Sequence, residues 1–225
     1  MTKLANYIRR YTSIAATLDI LRRKELPLLD PQTWDDRNDR HFMALYKESK
    51  RLGGLYGLCA ATCSETYHHW RVFTHAADGV CIEIKREPLE TALTALPDVR
   101  FGEVEYLLLQ EVEKLGTKDL ERMPFVKRIG FKPEEEYRIV SVSDEQQRSA
   151  ISIDFPIRMI NRIYINPWLP APVAASLVAT IRELPGCSKL AISRSHLIDN
   201  SRWKQAGDKV VGKQQRSKSK PIRSR

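Results

Sequence analysis

Three consecutive glutamates, residues 134–136, lead directly into the strand-like run 137–140. Apolar and polar side chains alternate in this run, which predicts a strand with one dry face and one wetter face. If the extended conformation begins at Pro133, Glu134 and Glu136 lie on the same face. Two like charges on one face are unfavourable unless cations or a polar ligand lie close to them. The fold must therefore bring one or the other to this pair.

Two interpretations of the acidic pair follow from its neighbours. In the first, Arg138, Lys127 or Lys132 supplies the cations at a solvated entrance to the strand, as is usual for acidic clusters. In the second, Glu134 and Glu136 form a paired-carboxylate site that performs chemistry. The rest of the chain has to decide between them.

The order of predicted elements favours a single mixed α+β domain. Predicted helices gather in the first two-thirds of the chain and strands occur throughout, without the regular β-α alternation of a doubly wound sheet. The 225 residues are enough for one sizeable core. No glycine-rich phosphate loop is present, because the 10 glycines are dispersed. We expect the globular domain to span residues 1–203.

The positive charge is concentrated at the carboxyl terminus. The formal net charge is +9, but residues 204–225 hold eight lysines and arginines against the single Asp208, so residues 1–203 carry only +2. We expect 204–225 to form a basic, largely disordered tail, because it has few apolar side chains. Such a tail predicts nonspecific affinity for nucleic acid. It contains no aromatic residue, so we expect no base stacking by the tail alone.

Several protein classes are disfavoured by the composition. No apolar run approaches the roughly 20 residues of a spanning helix, and the amino terminus lacks a signal-peptide core, which predicts a cytoplasmic protein without a membrane partner. Cys59 and Cys63, with His68 and His69 nearby, do not have a standard zinc spacing, so we predict no metal site. Trp203 and the other three tryptophans are expected to pack in the core or as a lid, and a stacking surface for a base or nicotinamide ring is the alternative.

Four separated segments resemble the bacterial family catalogued as domain of unknown function 2971. The shared features are an aromatic-basic-aromatic strand entering a leucine-bearing helix, an Asn/Asp-rich turn, a Gly-Val-Cys-Ile-Glu strand after a Trp-x-x-aromatic motif, and a Glu-x-Glu-aromatic-Arg segment. The corresponding segments here are 7–21, 35–39, 70–84 and 131–138. The family pattern has a proline where this chain has Arg37 and a tryptophan where it has Tyr137.

A second resemblance is to the ADP-ribosyltransferase architecture. Its functional residues are a basic residue on the first strand, a Ser/Thr-bearing strand and a late glutamate, which arginine-modifying members carry in a Glu-x-Glu pair. The resemblance implies a split β-sandwich with helices that binds a nucleotide or dinucleotide, with NAD as cofactor. It implies that the catalytic residues are Glu136 and Glu134, and that the cofactor-binding residues are Arg10, Thr12, Ser64 and Trp70.

Such a site has a physical rationale. Breaking the nicotinamide–ribose bond passes through an oxocarbenium-like state, which Glu136 beside a ribose hydroxyl would stabilise. Arg10 can hold a diphosphate through two hydrogen bonds, and Glu134 can orient or deprotonate the acceptor. The resemblance therefore predicts an NAD-dependent ADP-ribosyltransferase-like enzyme, acting as a bacterial defence (phage defence) or toxin-like effector.

A non-catalytic function is the first alternative. Arg10 can pair with Asp39 or Glu136 instead of a ligand. Thr62 or Ser64 can cap the helix that carries Trp70, which can start at Ser64 or Thr66. The acidic pair is then structural, and the chain is an interaction module whose tail binds nucleic acid.

A metal-dependent hydrolase is the second alternative. Asp35, Asp36 and Asp39 would hold a magnesium ion together with Glu83, although a helix-capping turn explains the same three aspartates.

Overall fold

The computed structural model describes residues 6–74 and 76–211. The described strands are β1 (Tyr7–Ser13), β2 (Glu25–Leu29), β3 (Gly54–Ala61), β4 (Gly79–Lys85), β5 (Val99–Glu103), β6 (Glu105–Leu107), β7 (Val126–Arg128), β8 (Glu136–Ser143), β9 (Ala150–Asp154), β10 (Ile160–Ile165) and β11 (Ile192–Arg194). The described helices are α1 (Ile14–Arg23), α2 (Arg37–Ser49), α3 (Tyr67–Phe73), α4 (Arg86–Thr94), α5 (Leu109–Val112), α6 (Ala171–Glu183) and α7 (Ser201–Val210). Short 3-10 segments occupy Pro31–Thr33, Thr117–Phe125, Ile129–Glu134 and Ile157–Met159.

These elements form a mixed α+β domain, which confirms the predicted fold class. The main sheet has the order β11-β10-β4-β1-β3-β2-β9, and β8 joins it between β3 and β5. β10 and β11 are parallel, whereas β1 runs antiparallel to β4 along its whole length. β6 and β7 form a separate parallel pair.

Alternation along the strands builds the core. In β1, Ile8 is fully buried and lies in register with Ile84 of β4, within the main apolar cluster. The neighbouring β10 adds Ile163 to this cluster, and α1 covers it with Leu21. The burial of these β-branched and leucine side chains supplies the main driving force for folding.

Helix starts follow short polar side chains. The Ser13 hydroxyl caps α1 by accepting a hydrogen bond from the Ala16 amide at 3.1 Å. At α3 the cap is Thr66, whose hydroxyl accepts from the His69 amide at 3.1 Å. The sequence offered Ser64 or Thr66 as the start of this helix; Thr66 takes that role, whereas Ser64 lies two residues too early and is exposed.

The sheet is divided along one edge of β3. On one side β3 pairs with β8 over its full length, from Gly54–Ser143 to Ala61–Glu136. On the other side, its pairing in the described structure is limited to Arg9–Ala61 with β1 and Leu29–Gly57 with β2. Between these two contacts, no described strand pairs with β3 on this side, and the Cys59 carbonyl accepts from the Arg10 side chain instead. This gap positions the cavity described below.

The end of the described chain differs from the expected boundary. Helix α7 (Ser201–Val210) crosses the position between residues 203 and 204 at which the basic tail was expected to begin. The later part of that tail, residues 212–225, lies outside the described residues. No helix among residues 6–74 and 76–211 combines the length and apolar character needed to cross a bilayer.

Candidate active site

A cavity of about 490 Å³ lies where β1 and β3 separate. It is lined by Arg10 and Thr12 of β1, by Cys59 of β3, by Glu136 at the start of β8 and by Glu134 two residues before it. Glu136 lies directly beside β3, because β3 and β8 are paired and Glu136 is in register with Ala61. The volume lies within the range of about 300–1,000 Å³ that is typical of small-molecule sites.

Aromatic residues from separate parts of the chain line the same cavity. They are Tyr11 of β1, Trp34, which precedes α2, Phe73 at the end of α3, and Phe131 in a 3-10 segment. The cavity therefore offers flat apolar surfaces beside its charged groups, a combination that suits a ligand with rings and ionised groups.

Arg10 presents a guanidinium group without a carboxylate partner among the described residues. Its Nη1 donates to the Cys59 carbonyl at 2.8 Å, and no described acidic side chain lies within 4.0 Å of it. Burial lowers the pKa of Arg10, because neutral backbone replaces water around the charge. A bound anion would supply the missing compensation, and the remaining N–H groups are suited to a phosphate or carboxylate.

A charged cluster of Asp39, Lys127, Glu134, Glu136 and Arg138 forms the acidic wall. Lys127 lies at its centre, with Nζ 2.6 Å from Glu134 Oε2, 3.1 Å from Glu136 Oε2 and 3.5 Å from Asp39 Oδ2. Arg138 donates to Asp39 Oδ2 at 2.9 Å and to the Pro124 carbonyl at 2.8 Å. Three carboxylates face two cations, so the charged cluster carries one excess negative charge when all groups are ionised.

Glu136 is held as a permanent anion. Arg138 donates to both of its oxygens, Nε to Oε1 at 2.7 Å and Nη2 to Oε2 at 3.0 Å. Burial alone would raise the pKa of Glu136, but Arg138 and Lys127 outweigh it and lower the pKa to about 2. The carboxylate is therefore ionised at neutral pH and fixed in one orientation.

The pKa of Glu134 is shifted in the opposite direction from that of Glu136. Glu134 is largely buried, and burial raises its pKa despite the ion pair with Lys127. The two glutamates thus share one lysine, yet their pKa values move in opposite directions. Divergent pKa values in one site suit two carboxylates to different tasks, one as a fixed charge and one as a proton acceptor.

The backbone between the two glutamates differs from the extended form predicted by the sequence. Glu134 ends a 3-10 segment, Glu135 adopts a left-handed conformation with φ of 42°, and only Glu136 begins β8. The left-handed residue turns the chain so that both flanking side chains still reach Lys127. Glu134 and Glu136 therefore do not lie on one face of a strand, as the sequence predicted, but on either side of a turn. Both side chains are buried, whereas the sequence allowed for a solvated entrance to the strand.

Hydrogen bonds from other elements fix this turn. The His69 ring nitrogen Nε2 lies 2.9 Å from the Glu134 carbonyl oxygen. The Thr62 amide donates to the Glu135 carbonyl at 2.8 Å, and the Tyr106 hydroxyl accepts from the Glu136 amide at 2.8 Å. The position of both carboxylates therefore depends on α3, on the end of β3 and on β6.

The structure brings four of the six sequence-predicted site residues to one cavity. Arg10, Thr12, Glu134 and Glu136 line it together.

Ser64 and Trp70 do not join the other four residues. Ser64 is exposed in the loop before α3. Trp70 is 1% exposed, donates its indole N–H to Glu65 at 2.7 Å and packs edge-on against Tyr11. Neither residue lines the cavity.

The aspartate turn has a structural role. Asp36 caps α2 by accepting from the Asn38 amide at 2.8 Å, Asp39 belongs to the charged cluster, and Glu83 pairs with Arg9 at 2.6 Å. Within the described residues no three His, Cys, Asp or Glu side chains form a group that could hold a metal ion. Asp35, Asp36 and Asp39 all line the cavity, but with Glu83 they do not converge into such a group in the described part of the chain.

The sequence did not indicate that Asp39 would join the charged cluster with Lys127 and Arg138. Asp39 lies 99 residues before Arg138, and nothing in the spacing indicated that the two would meet. The signal in the sequence was that Glu134 and Glu136 need cations nearby. Arg138, Lys127 or Lys132 was expected in that role; Arg138 and Lys127 contact the glutamates, whereas Lys132 is exposed.

These features define an α+β domain with a ligand-sized cavity in a divided sheet. The cavity is bordered by a buried carboxylate pair and by a guanidinium that has no carboxylate partner among residues 6–74 and 76–211.

No family model matches the chain, and no curated protein matches its sequence significantly. The resemblance to the 2971 family therefore stays a prediction.

Among solved structures, similar chains come from DarT of Thermus sp. 2.9. Its complex with ADP-ribosylated ssDNA matches with a TM-score of 0.44 and 13% identity, over 85% of this chain and 94% of that chain. Its complex with carba-NAD+ matches with a TM-score of 0.45 and 12% identity, over 87% of this chain and 97% of that chain. Its complex with NAD+ matches with a TM-score of 0.44 and 12% identity, over 85% of this chain and 96% of that chain. At these scores and identities, the likeness supports no inference about the activity of this chain.

Proposed function

We propose that this protein is an NAD-dependent ADP-ribosyltransferase-like enzyme whose active site is the cavity between β1 and β3. The observation that carries the proposal is the juxtaposition of the Arg10 guanidinium with Glu134 and Glu136 at one cavity. The juxtaposition suits a ligand that carries negative charge at one end and develops positive charge at the other. NAD+ has both properties.

Arg10 is the proposed diphosphate-binding residue. Its hydrogen bond to the Cys59 carbonyl uses one of several donors, within a cavity of suitable size. Charge-assisted hydrogen bonds from arginine to phosphate are short and strong, and a partly desolvated site strengthens them further. Thr12, two residues further along β1, adds a hydroxyl to the same wall.

Glu136 is the proposed electrostatic catalyst. As the C1′–N bond of the nicotinamide ribose breaks, the electron pair leaves with nicotinamide and positive charge develops on the ribose. A carboxylate that is already ionised and oriented stabilises that charge without reorganisation. With its pKa at about 2, Glu136 remains ionised at any physiological pH.

Glu134 is the proposed general base. A nucleophilic group on the acceptor forms the new bond to C1′ and loses its proton, which Glu134 accepts. The raised pKa of Glu134 makes it a better proton acceptor than Glu136. Atoms balance as NAD+ and acceptor on one side, and ADP-ribosylated acceptor, nicotinamide and a proton on the other.

Transfer of label from NAD+ carrying radioactive adenylate to a bacterial lysate tests the proposal. Wild-type protein should label an acceptor, and folded Glu136→Gln should not. Glu83→Gln is a matched control, because Glu83 is also a buried glutamate paired with an arginine but does not line the cavity. Equal labelling by wild type and Glu136→Gln would contradict the assignment.

An effector role would follow from this activity. An enzyme that modifies a cellular acceptor at the cost of NAD+ suits a toxin-like or defence protein. Induced expression in a bacterial host should arrest growth with the wild type and not with Glu136→Gln. Growth that is equally normal with both proteins, at equal expression, would contradict that role.

A further inference from the structure

Helix α7 (Ser201–Val210) leaves a large aromatic side chain unpacked. None of its residues is buried, and Trp203 is 82% exposed. In contrast, Trp70 is 1% exposed and Trp34 and Trp168 are half-buried. The sequence had predicted core or lid packing for Trp203, and the structure gives it neither. An exposed tryptophan on an ordered helix is typical of a contact surface.

The helix places cations on both sides of this tryptophan. At 3.6 residues per turn, Trp203 and Val210 share one face of α7. Lys204 flanks that face on one side, and Arg202 and Lys209 flank it on the other. Lys204 pairs with Asp199 at 2.5 Å, whereas no ion pair forms at Arg202 or Lys209 within the described residues.

The charge of the adjoining sequence extends this pattern. Residues 204–225 carry eight lysines and arginines against one aspartate, and they contain no aromatic side chain. Trp203 therefore directly precedes residues 204–225, where the positive charge of the chain is concentrated.

We infer that α7 is a docking surface for single-stranded nucleic acid, with Trp203 stacking on a base and the flanking cations contacting phosphates. An aromatic face together with a positive track is the combination that binds unpaired strands without sequence preference. Base faces are open to stacking in a single strand and are covered in a duplex. This surface is separate from the cavity, so the inference does not depend on the proposed activity.

A membrane surface fits α7 less well. Interfacial helices bind in proportion to their buried apolar area, and they carry several tryptophan, phenylalanine or leucine side chains on one face. α7 has one tryptophan and no leucine or phenylalanine. Its cations therefore outnumber its large apolar groups, which favours a polyanion over a bilayer.

Fluorescence anisotropy of a labelled oligo-dT of about 20 nucleotides, longer than one typical single-strand binding site, tests the inference with the full-length chain. Trp203→Ala should weaken binding about tenfold, as expected for loss of one stacked base, and Trp203→Tyr should bind like the wild type. Trp203→Leu distinguishes stacking from apolar burial, and we expect it to be as weak as Trp203→Ala. Trp203 has almost no packing contacts to lose, so all three variants should fold.

Three outcomes would overturn the inference. These are equal binding by wild type and Trp203→Ala, full binding by Trp203→Leu, and preferential binding of wild type to anionic phospholipid vesicles over oligo-dT. A duplex of the same length should bind more weakly than the single strand, and equal or stronger duplex binding would also contradict base stacking.

The salt dependence of binding tests the cations separately. Arg202→Gln and Lys209→Gln should each make the slope of log affinity against log salt shallower by about 0.7, the value for one phosphate contact on a single strand. Lys118→Gln, an exposed cation in a 3-10 segment, is the matched control and should leave the slope unchanged. An unchanged slope in both α7 variants would overturn the phosphate contacts.

Discussion

Arg138 holds Glu136 by two hydrogen bonds, Nε to Oε1 at 2.7 Å and Nη2 to Oε2 at 3.0 Å, although the two residues are only two positions apart on β8. Alternate residues of a strand share a face, so the guanidinium can lie along the strand beside the carboxylate. The Trp34 ring lies over the other side of the guanidinium, 4.8 Å from Cζ to the ring centroid. Arg138 therefore acts as a rigid support for a carboxylate at the cavity wall.

Glu136→Gln should destabilise the folded state by about 3 kcal/mol near pH 6, because Arg138 and Lys127 lose a buried counter-charge. The pKa of Glu136 lies at about 2 in the folded state and at its ordinary value of 4.5 in the unfolded state. A lowered carboxyl pKa stabilises the fold fully above pH 4.5, and this contribution is lost as the pH falls towards 2. The stability gap between wild type and variant should therefore shrink to about half at pH 3. Urea unfolding of both proteins at about pH 6 and about pH 3 measures the gap, and a gap independent of pH would contradict the assigned ion pairs.

Arg10→Gln should weaken NAD+ binding at least about tenfold, the effect of losing one charge-assisted contact. The NAD+ affinity of Arg10→Lys should lie between those of the wild type and Arg10→Gln, because an ammonium group keeps the charge but cannot form the two parallel hydrogen bonds of a guanidinium. Isothermal titration of NAD+ into each folded protein measures the effect, with Arg22→Gln, an exposed arginine of α1, as control. Undiminished affinity in Arg10→Gln would remove Arg10 from the site.

His69→Ala should lower kcat by about tenfold or more while changing the KM for NAD+ less. His69 is fully buried, and its ring joins Thr66 Oγ1 at 2.6 Å to the Glu134 carbonyl at 2.9 Å. Loss of the ring frees the turn that carries Glu134, and small displacements of a reacting group are costly. Arg10 is unaffected, so binding should persist. Steady-state kinetics measures the change in kcat and KM, and a parallel thermal melt shows whether the variant is folded. A folded His69→Ala variant with normal kcat would show that His69 does not position Glu134.

Gly57→Ala should lower stability by about 1–3 kcal/mol through overpacking. A Cβ at Gly57 would lie 2.5 Å from Cζ2 of Trp34, a ring that lines the cavity and covers Arg138. Gly102→Ala is the matched control, because Gly102 also pairs with a β8 residue, yet a Cβ added there would meet no described atom within 4 Å. Chemical denaturation should separate the two variants, and equal stabilities would show that Trp34 adjusts without cost.

Strand positions were the most predictable part of the fold. The apolar and β-branched composition of residues 80–84 and 160–165 indicates two strands, and the structure has β4 (Gly79–Lys85) and β10 (Ile160–Ile165) there, because a buried strand has to present apolar side chains at every second position or more. The pattern of residues 119–128 indicates a helix, and this prediction is wrong. Pro124 interrupts the stretch, and the structure has a 3-10 segment followed by β7.

The site was predictable only where a local rule applied. The need for cations beside Glu134 and Glu136 follows from Coulomb's law, and Lys127 and Arg138 fulfil it. The contact of Asp39 with Arg138 depends on tertiary folding, and the left-handed turn at Glu135 has no local signal, since non-glycine residues seldom adopt positive φ. The gap beside β3 could not be predicted either, because it arises from pairing that stops at Ala61 and Gly57.

The most direct test of the proposed active site is the release of nicotinamide from NAD+ by purified protein, measured together with NAD+ affinity for wild type, Arg10→Gln and Glu136→Gln. We expect release of nicotinamide by the wild type in the presence of acceptor lysate, NAD+ binding weakened at least about tenfold in Arg10→Gln, and retained binding without release in Glu136→Gln. Folded wild-type protein that neither binds NAD+ nor releases nicotinamide would contradict the proposed active site.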